Sequence, residues 1–145
     1  ILTLIADAAK GFLPVILAMQ LGASLGVTIS VGTAAFLGHL YPIFLRFKGG
    51  KGVATALGVF LALAPMATLV LAAMFALTVL TSRIVSLSSI LSAVAAPGVF
   101  WLFSYPPLVV SMAAFIALAI TWRHQSNIRR MMNGSERRFG SANSQ

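Results

Sequence analysis

The chain has 145 residues, of which 59% are hydrophobic and 8% are charged, whereas a soluble domain carries about 25% charged residues. This composition excludes a soluble globular domain and indicates an integral membrane protein. The net charge is +8, but the cations lie between apolar segments, which favours an anionic headgroup or a small anionic substrate over nucleic acid. There is no cysteine, and two histidines and two acids are too few for a metal cage.

The basic residues fall into four clusters with uncharged apolar segments between them. The clusters are Lys10, Arg46 to Lys51, Arg83, and Arg123 to Arg138. One helix through any of these segments would be ~50 Å long against a hydrocarbon core of ~30 Å, so each segment predicts two crossings. Turn signals in the middle of the segments ("LGASLG", "LAPMA" and "SYPP") support this division. The sequence therefore predicts an all-α, polytopic membrane bundle of about six transmembrane helices, at residues 10–25, 27–45, 53–64, 67–82, 86–103 and 107–123.

Six crossings return every basic cluster to one face, which the positive-inside rule makes cytoplasmic. The third predicted span is short, and the alternative is one tilted helix over 53–82, which would place Arg83 on the opposite face. We expect one integral-membrane domain over residues 1–140 and a disordered tail at 141–145. Because the chain begins at Ile1 rather than Met, we expect it to be a fragment that lacks an N-terminal piece.

Several polar residues stand alone in apolar surroundings. Asp7 and Lys10, in "DAAKG", form either a helix ion pair or the edge of a site. His39 lies in an apolar span three residues before Pro42, where a lone histidine is more often a structural hydrogen-bonding residue than a catalyst. Ser86 follows the third basic cluster; it could donate to a phosphate, although serine at a helix start is ordinarily a cap.

The loop "RFKGGKG" between the second and third predicted spans combines cations with glycines. Glycine lets the backbone approach a ligand and turn its N–H groups inward as an anion cradle. The following helix start would also favour a phosphate. The Walker A pattern is not met, so nucleotide binding is not implied. The alternative is a flexible positive-inside loop. The candidate phosphate ligands are Lys48, Gly49, Gly50, Lys51 and Gly52.

The last predicted span ends in "WRHQSNIRRMMNGSE". On one helix, His124 and Asn127 share a face and could hydrogen-bond an anion or a substrate hydroxyl, with Arg123 beside them. His124 could also move a proton near neutral pH. Glu136 either pairs with a nearby arginine or holds the tail in place. The alternative is an interfacial anchor, with Trp122 at the membrane boundary and arginines facing anionic lipid.

Three of these segments together resemble a known family. "GHLYPIFLRFKGGKGVAT" resembles the second signature of the bacterial acyl-phosphate:glycerol-3-phosphate acyltransferases, and "RHQSNIRRMMNGSE" resembles their third. "DAAKGFLP" is similar to the family's D-x-x-K-G segment, and Ser86 falls where the family has a serine turn. The resemblance extends from Ile1 to about Gly140.

The resemblance implies transfer of a fatty acyl group from acyl phosphate to the 1-hydroxyl of glycerol 3-phosphate, giving lysophosphatidic acid without cofactor or metal. It implies seven spans in the bacterial inner membrane, with the signatures and the C-terminus on the cytoplasmic side. It also implies a functional link to the enzyme that makes acyl phosphate. Membrane lipid is a further expected partner, and the oligomeric state is left open. The family's first signature would precede residue 1, so we expect this fragment alone to be inactive.

The resemblance also assigns roles. His124, Asn127 and Lys51 are expected at the catalytic centre, with the glycine loop, Ser86 and Arg123 binding phosphate. Asp7, Lys10, His39 and Glu136 are expected to support them. The proton of the attacking hydroxyl goes either to the substrate's own phosphate or to His124, and the acyl tail lies in a groove open to lipid. The rival interpretations are a membrane anion transporter and a lipid-binding membrane subunit.

Overall fold

The computed structural model describes residues 2–47 and 49–140, and these residues are all-α. The predicted phosphate ligand Lys48 and the predicted tail at 141–145 lie outside the described residues. The helices are α1 (Leu2–Gln20), α2 (Leu25–Leu40), α3 (Val53–Leu63), α4 (Pro65–Ser82), α5 (Val85–Leu102), α6 (Pro107–Arg123) and α7 (Gln125–Met132), with a 3₁₀ turn at Ile43–Leu45 between α2 and α3.

Each predicted turn signal separates two helices. Between α1 and α2, Gly22 adopts a φ of 73°, and the Ser24 hydroxyl accepts a hydrogen bond from the Val27 N–H to cap α2. Between α3 and α4 the backbone breaks at Ala64, and Pro65 begins α4, where a missing N–H costs nothing. Pro107 begins α6 in the same way.

The first two predicted spans have wrong boundaries. The span predicted at 10–25 is the helix Leu2–Gln20, because the Asp7–Lys10 pair lies inside the helix rather than before it. The span predicted at 27–45 stops at Leu40, because Pro42 disfavours a helical conformation at the preceding residue.

Glycines bring α1 and α3 into close contact. A Cβ atom at Gly11 of α1 would overlap the Thr55 carbonyl of α3, and one at Gly58 of α3 would overlap the Ala8 carbonyl of α1. Small residues at such a crossing let two backbones approach in a membrane, where apolar burial alone does not drive helix association. The close crossing fixes the start of α3, and with it the end of the glycine loop, against α1.

The core lies between the helices, and large apolar side chains also cover the outside. Phe60 and Phe100 meet edge to face at 5.0 Å between ring centroids, and Phe36 and Ile116 are fully buried. Leucines such as Leu80 are exposed, as expected of a surface that faces lipid. Within residues 2–47 and 49–140, three helices, α1, α4 and α5, are long and apolar enough to cross a membrane, and the bent pair α6 and α7 makes a fourth if it is one span. Crossing by the shorter α2 and α3 stays a prediction.

The single helix considered over 53–82 is excluded by the break at Ala64 and by the contacts of its two ends. Ser86, at the start of α5, is hydrogen-bonded to Glu136. Asn127 is hydrogen-bonded both to Glu136 and to Lys51, which lies just before α3. The segment from Lys51 through α3 and α4 therefore returns to the end of the bundle where it began.

Candidate functional site

A cavity of about 560 Å³ lies at this end of the bundle. Its walls come from α1, the end of α2, the glycine loop, the starts of α3 and α5, the α6–α7 junction and the C-terminal segment. Most of the predicted site residues line it: Asp7, His39, Gly50, Lys51, Gly52, Ser86, His124, Asn127 and Glu136.

A hydrogen-bonded network joins the two long motifs across this cavity. The Lys51 ammonium donates to Asn127 Oδ1 at 2.7 Å, and the Asn127 amide donates to Glu136 Oε1 at 2.6 Å. The Ser86 hydroxyl donates to the same carboxylate oxygen at 2.6 Å. Ser86 is therefore not the helix cap that its position suggested, since its hydroxyl is directed across the cavity to the C-terminal segment.

The Glu136 carboxylate holds the network together electrostatically. Burial alone would raise its pKa, but hydrogen bonds from Ser86, Asn127 and Arg130 outweigh burial and lower the pKa to about 2. The bond from Arg130 Nε measures 2.7 Å. Partial burial lowers the pKa of Lys51, while the Glu136 charge opposes that shift. Of the two alternatives for Glu136, the pair with a nearby arginine is the one observed.

His124 lies at a break rather than on a continuous helix. It separates α6 from α7, which meet at 59°, so the expectation that His124 and Asn127 share one helix face is wrong. Both side chains are nevertheless buried in the cavity wall. His124 Nδ1 lies 2.7 Å from the Ile120 carbonyl oxygen, an acceptor, so Nδ1 carries the hydrogen and Nε2 keeps its lone pair.

The glycine loop is held from both sides. The Gly49 N–H donates to the Leu40 carbonyl at 3.2 Å, and a Cβ atom at Gly49 would overlap that carbonyl. Gly52 has a φ of 80° and precedes α3 directly. Arg123 donates from Nη2 to the Gly49 carbonyl at 2.7 Å and from Nε to the Gly50 carbonyl at 3.2 Å. Arg123 therefore fastens the loop from outside, and neither it nor Gly49 lines the cavity.

The supporting residues divide into two groups. Asp7 and His39 line the cavity, with His39 Nδ1 3.6 Å from Asp7 Oδ1. Lys10 forms the predicted ion pair with the same carboxylate oxygen at 3.1 Å, but its side chain is 64% exposed and does not line the cavity.

The C-terminal segment that follows α7 forms part of the cavity wall. After α7 the chain turns at Gly134, which has a φ of 69°, and folds back until the Phe139 N–H donates to the Arg83 carbonyl at 2.6 Å. The only signal for this return was Glu136, a lone acid among arginines. The cavity-lining residues that were not predicted are Val53, Ala54, Val85, Ser89, Arg137, Arg138 and Phe139.

A second cavity adjoins the first and differs from it in chemistry. It has a volume of about 210 Å³ and lies between α3, α4 and α5, with single contributions from α1 and α6. We call it the apolar groove. It shares Val53, Ala54 and Ser89 with the polar cavity. The remaining residues are Leu4, Ala56, Leu57, Phe60, Thr68, Leu71, Ala72, Phe75, Ser92, Ala93 and Ile120.

Known proteins are similar to this chain in both sequence and fold. A family model described as glycerol-3-phosphate acyltransferase matches residues 1–134. Proteins of that name from Syntrophotalea carbinolica and Methylobacillus flagellatus are each 50% identical, over 96% and 97% of this chain and 71% of their own lengths.

Solved structures of PlsY (YgiH), an integral membrane glycerol 3-phosphate acyltransferase, are also similar. The glycerol 3-phosphate form superposes with a TM-score of 0.90 and the lysophosphatidic acid form with 0.89. Both are 41% identical to this chain and cover 96% of it, matching 70% and 71% of the solved chains. The chain therefore belongs to the glycerol-3-phosphate acyltransferase family, and it is an integral membrane acyltransferase.

Proposed function

We propose that the protein transfers a fatty acyl group from acyl phosphate to the 1-hydroxyl of sn-glycerol 3-phosphate, giving lysophosphatidic acid. One observation carries the proposal: a polar cavity with Lys51 on its wall continues into an apolar groove. An acyl phosphate has the same two parts, an anionic head and an apolar tail. A relative's structure in a glycerol 3-phosphate form supports the identity of the second substrate.

The reaction needs little covalent chemistry from the protein. The hydroxyl oxygen of glycerol 3-phosphate attacks the acyl carbonyl carbon, a new C–O ester bond forms, and the acyl carbon–oxygen bond to phosphate breaks. Phosphate leaves with the electron pair of that bond. Because phosphate is already a good leaving group, no covalent enzyme intermediate is needed. The protein has to align two anions and offset their charges.

We assign the phosphate-binding role to Lys51 and the backbone N–H groups of Gly50 and Gly52. A helix N-terminus favours an anion, and α3 begins immediately after Gly52. The hydrogen bond from Lys51 to Asn127 keeps the ammonium at the cavity wall, from which it can exchange onto a substrate phosphate. Ser86 contributes a hydroxyl to the same wall. We assign Arg123 to holding the loop rather than to contacting phosphate, because its donors are bonded to loop carbonyls.

His124 is suited to orient the attacking hydroxyl. Its Nε2 lone pair can accept the hydroxyl hydrogen, since Nδ1 is engaged by the Ile120 carbonyl. That carbonyl is neutral and does not stabilise an imidazolium as a carboxylate would. We therefore propose that the phosphate of the acyl donor finally accepts the proton. His124 orients the attacking hydroxyl by accepting its hydrogen bond.

The apolar groove is the proposed place for the acyl chain. Its walls are almost entirely apolar, and it lies between helices that carry exposed leucines and so face lipid. A lipid-soluble donor could then enter from the bilayer, while glycerol 3-phosphate enters the polar cavity from water. We propose that this polar end faces the cytoplasm of the bacterial inner membrane, because basic residues concentrate there. The enzyme that produces acyl phosphate would then supply the donor on the same side.

The test is an acyl-transfer assay on the complete protein that carries this sequence, reconstituted in lipid. Glycerol 3-phosphate is supplied with acyl phosphate in one reaction and with acyl-CoA in another. We expect lysophosphatidic acid only with acyl phosphate. Product formation from acyl-CoA at an equal rate would contradict the donor assignment, and no product from either donor would contradict the proposed reaction.

A further inference from the structure

His39 and Asp7 form a polar pair between two apolar helices. Asp7 projects from α1 and His39 from the end of α2, with 3.6 Å between Oδ1 and Nδ1. The Asp7 side chain is only 19% exposed and the His39 side chain only 15%. A carboxylate next to an imidazole in such a location stabilises one orientation of the ring, because turning the ring would leave the partly buried carboxylate with one partner fewer.

The opposite edge of the imidazole lies against the glycine loop. A Cβ atom at Gly50 would overlap His39 Nε2 and lie 3.1 Å from Cε1. No other heavy atom outside the imidazole lies among the three nearest to that position. The backbone of Gly50 therefore rests on the imidazole ring.

We propose that His39, oriented by Asp7, is a positioning residue for phosphate binding: the imidazole sets where Gly50 lies and therefore where Lys51 enters the cavity. The inference rests on the proposed function in one respect, namely that the glycine loop binds phosphate. Gly49 and Gly50 cannot contribute to this positioning through side chains, since glycine has none. The ring on one side and Arg123 on the other fix the loop by contacts with its backbone.

A mutant cycle between the ring and the glycine tests this role. Gly50 lacks a positive φ, so an alanine there is strained only by the ring it would meet. In the complete protein, we expect His39→Ala and Gly50→Ala each to weaken inhibition by inorganic phosphate about tenfold, with kcat falling less than about threefold. The double variant should be no weaker than either single variant, because the new methyl group fills the space vacated by the ring.

Two further variants guard against a purely structural effect. Asp7→Asn keeps the shape of the side chain but removes its charge, and we expect phosphate inhibition to weaken about threefold. Gly38→Ala is the matched control: it lies next to His39 on α2, and a Cβ atom there meets nothing within 4 Å. Inorganic phosphate should inhibit that variant as strongly as it inhibits the wild type, and its kcat should be unchanged.

The loop itself provides a readout that does not depend on turnover. The Gly49 N–H is bonded to the Leu40 carbonyl, so its hydrogen exchange reports whether the loop rests on α2. His39→Ala should accelerate exchange at Gly49 while α3 exchanges as before. Unchanged exchange and unchanged phosphate inhibition, or additive losses in the double variant, would overturn the proposal. A wild type that shows this coupling but transfers no acyl group would refute the proposed reaction alone.

Discussion

The polar cavity and the apolar groove share Val53, Ala54 and Ser89, but their walls are held by different forces. The cavity wall depends on hydrogen bonds, such as those through Asn127 and Glu136, which need particular atoms at particular positions. The groove wall depends on close packing, which needs only apolar groups of suitable volume. Small chemical changes should therefore damage the cavity, and only changes of volume should damage the groove.

The largest effect is expected at Lys51. Lys51→Ala removes the ammonium from the cavity wall and leaves the Asn127 oxygen without its donor. We expect kcat/KM to fall about 10³-fold, because charge offset at a reacting phosphate is one of the strongest catalytic contributions. Membrane insertion should be unchanged, since Lys51 lies outside the helices.

Arg129→Ala is the control for Lys51. It removes a positive charge from the same end of the bundle, but Arg129 does not line the polar cavity. We expect its activity to stay close to that of the wild type. Equal losses of activity in the two variants would show that positive charge at this end of the bundle, rather than the position of Lys51, supports activity. The contrast drawn between the cavity and the groove would then lose its main support.

The next largest effect is expected at Glu136. Glu136→Gln keeps the volume but places an N–H₂ group opposite a donor, because Ser86, Asn127 and Arg130 all donate to the carboxylate. We expect an activity loss of about 10²-fold and a lower melting temperature, since buried donors are left without acceptors. A variant with wild-type melting behaviour would contradict the network's structural role.

The same carboxylate predicts a pH dependence of stability. The pKa of Glu136 is lowered from 4.5 to about 2 in the folded protein. A lowered pKa means that the stabilisation is complete above pH 4.5 and is lost as the pH falls towards 2. Melting temperatures of the wild type and of Glu136→Gln, measured across this range, should converge towards the acid end. A constant difference between them would contradict the assignment.

The apolar pattern predicted much of the fold, and failures occurred where local features or tertiary contacts decide. Turn residues and the need to cross a bilayer correctly indicated six apolar helices, including α6 at its exact bounds. The boundary of α2 was missed because apolar residues continue past Leu40, although Pro42 breaks the helix. The break at His124 was not predicted either, since nothing in "TWRHQSN" forbids a continuous helix.

The site was predictable where residues lie in long motifs and unpredictable where distant segments meet. Gly50, Lys51, His124 and Asn127 stand in two conspicuous basic segments. The contact of His39 with Gly50 could not be inferred, because it depends on how the loop folds back on α2. The return of Phe139 to Arg83 joins residues more than fifty positions apart, and composition alone carries no information on such pairings.

His124→Gln distinguishes orientation from proton abstraction. Glutamine can donate and accept hydrogen bonds but cannot serve as a base, so a positioning role predicts a loss of only about tenfold in kcat. The Ile120 carbonyl, the partner of Nδ1, gives no charge to stabilise an imidazolium, which supports the smaller effect. Single-turnover rates with saturating substrates measure it, and a loss of 10²- to 10⁴-fold would assign general base catalysis to His124 instead.

The smallest effect is expected in the groove, and it should depend on the acyl chain. Ala72 of α4 lines the groove, so Ala72→Phe should reduce its volume without adding a polar group. We expect kcat/KM to fall about fivefold for a sixteen-carbon donor and to stay unchanged for an eight-carbon donor, since each buried methylene contributes about 0.8 kcal/mol.

Ala73→Phe is the matched control for the groove. Ala73 is the neighbouring exposed residue on α4 and does not line the groove, so the same added volume should enter lipid without effect. If both variants lowered activity equally for long and short donors, the acyl chain would not lie between α3, α4 and α5. In that case the contact between the polar cavity and the groove at Val53 and Ala54 would serve only packing, because no substrate would extend across it.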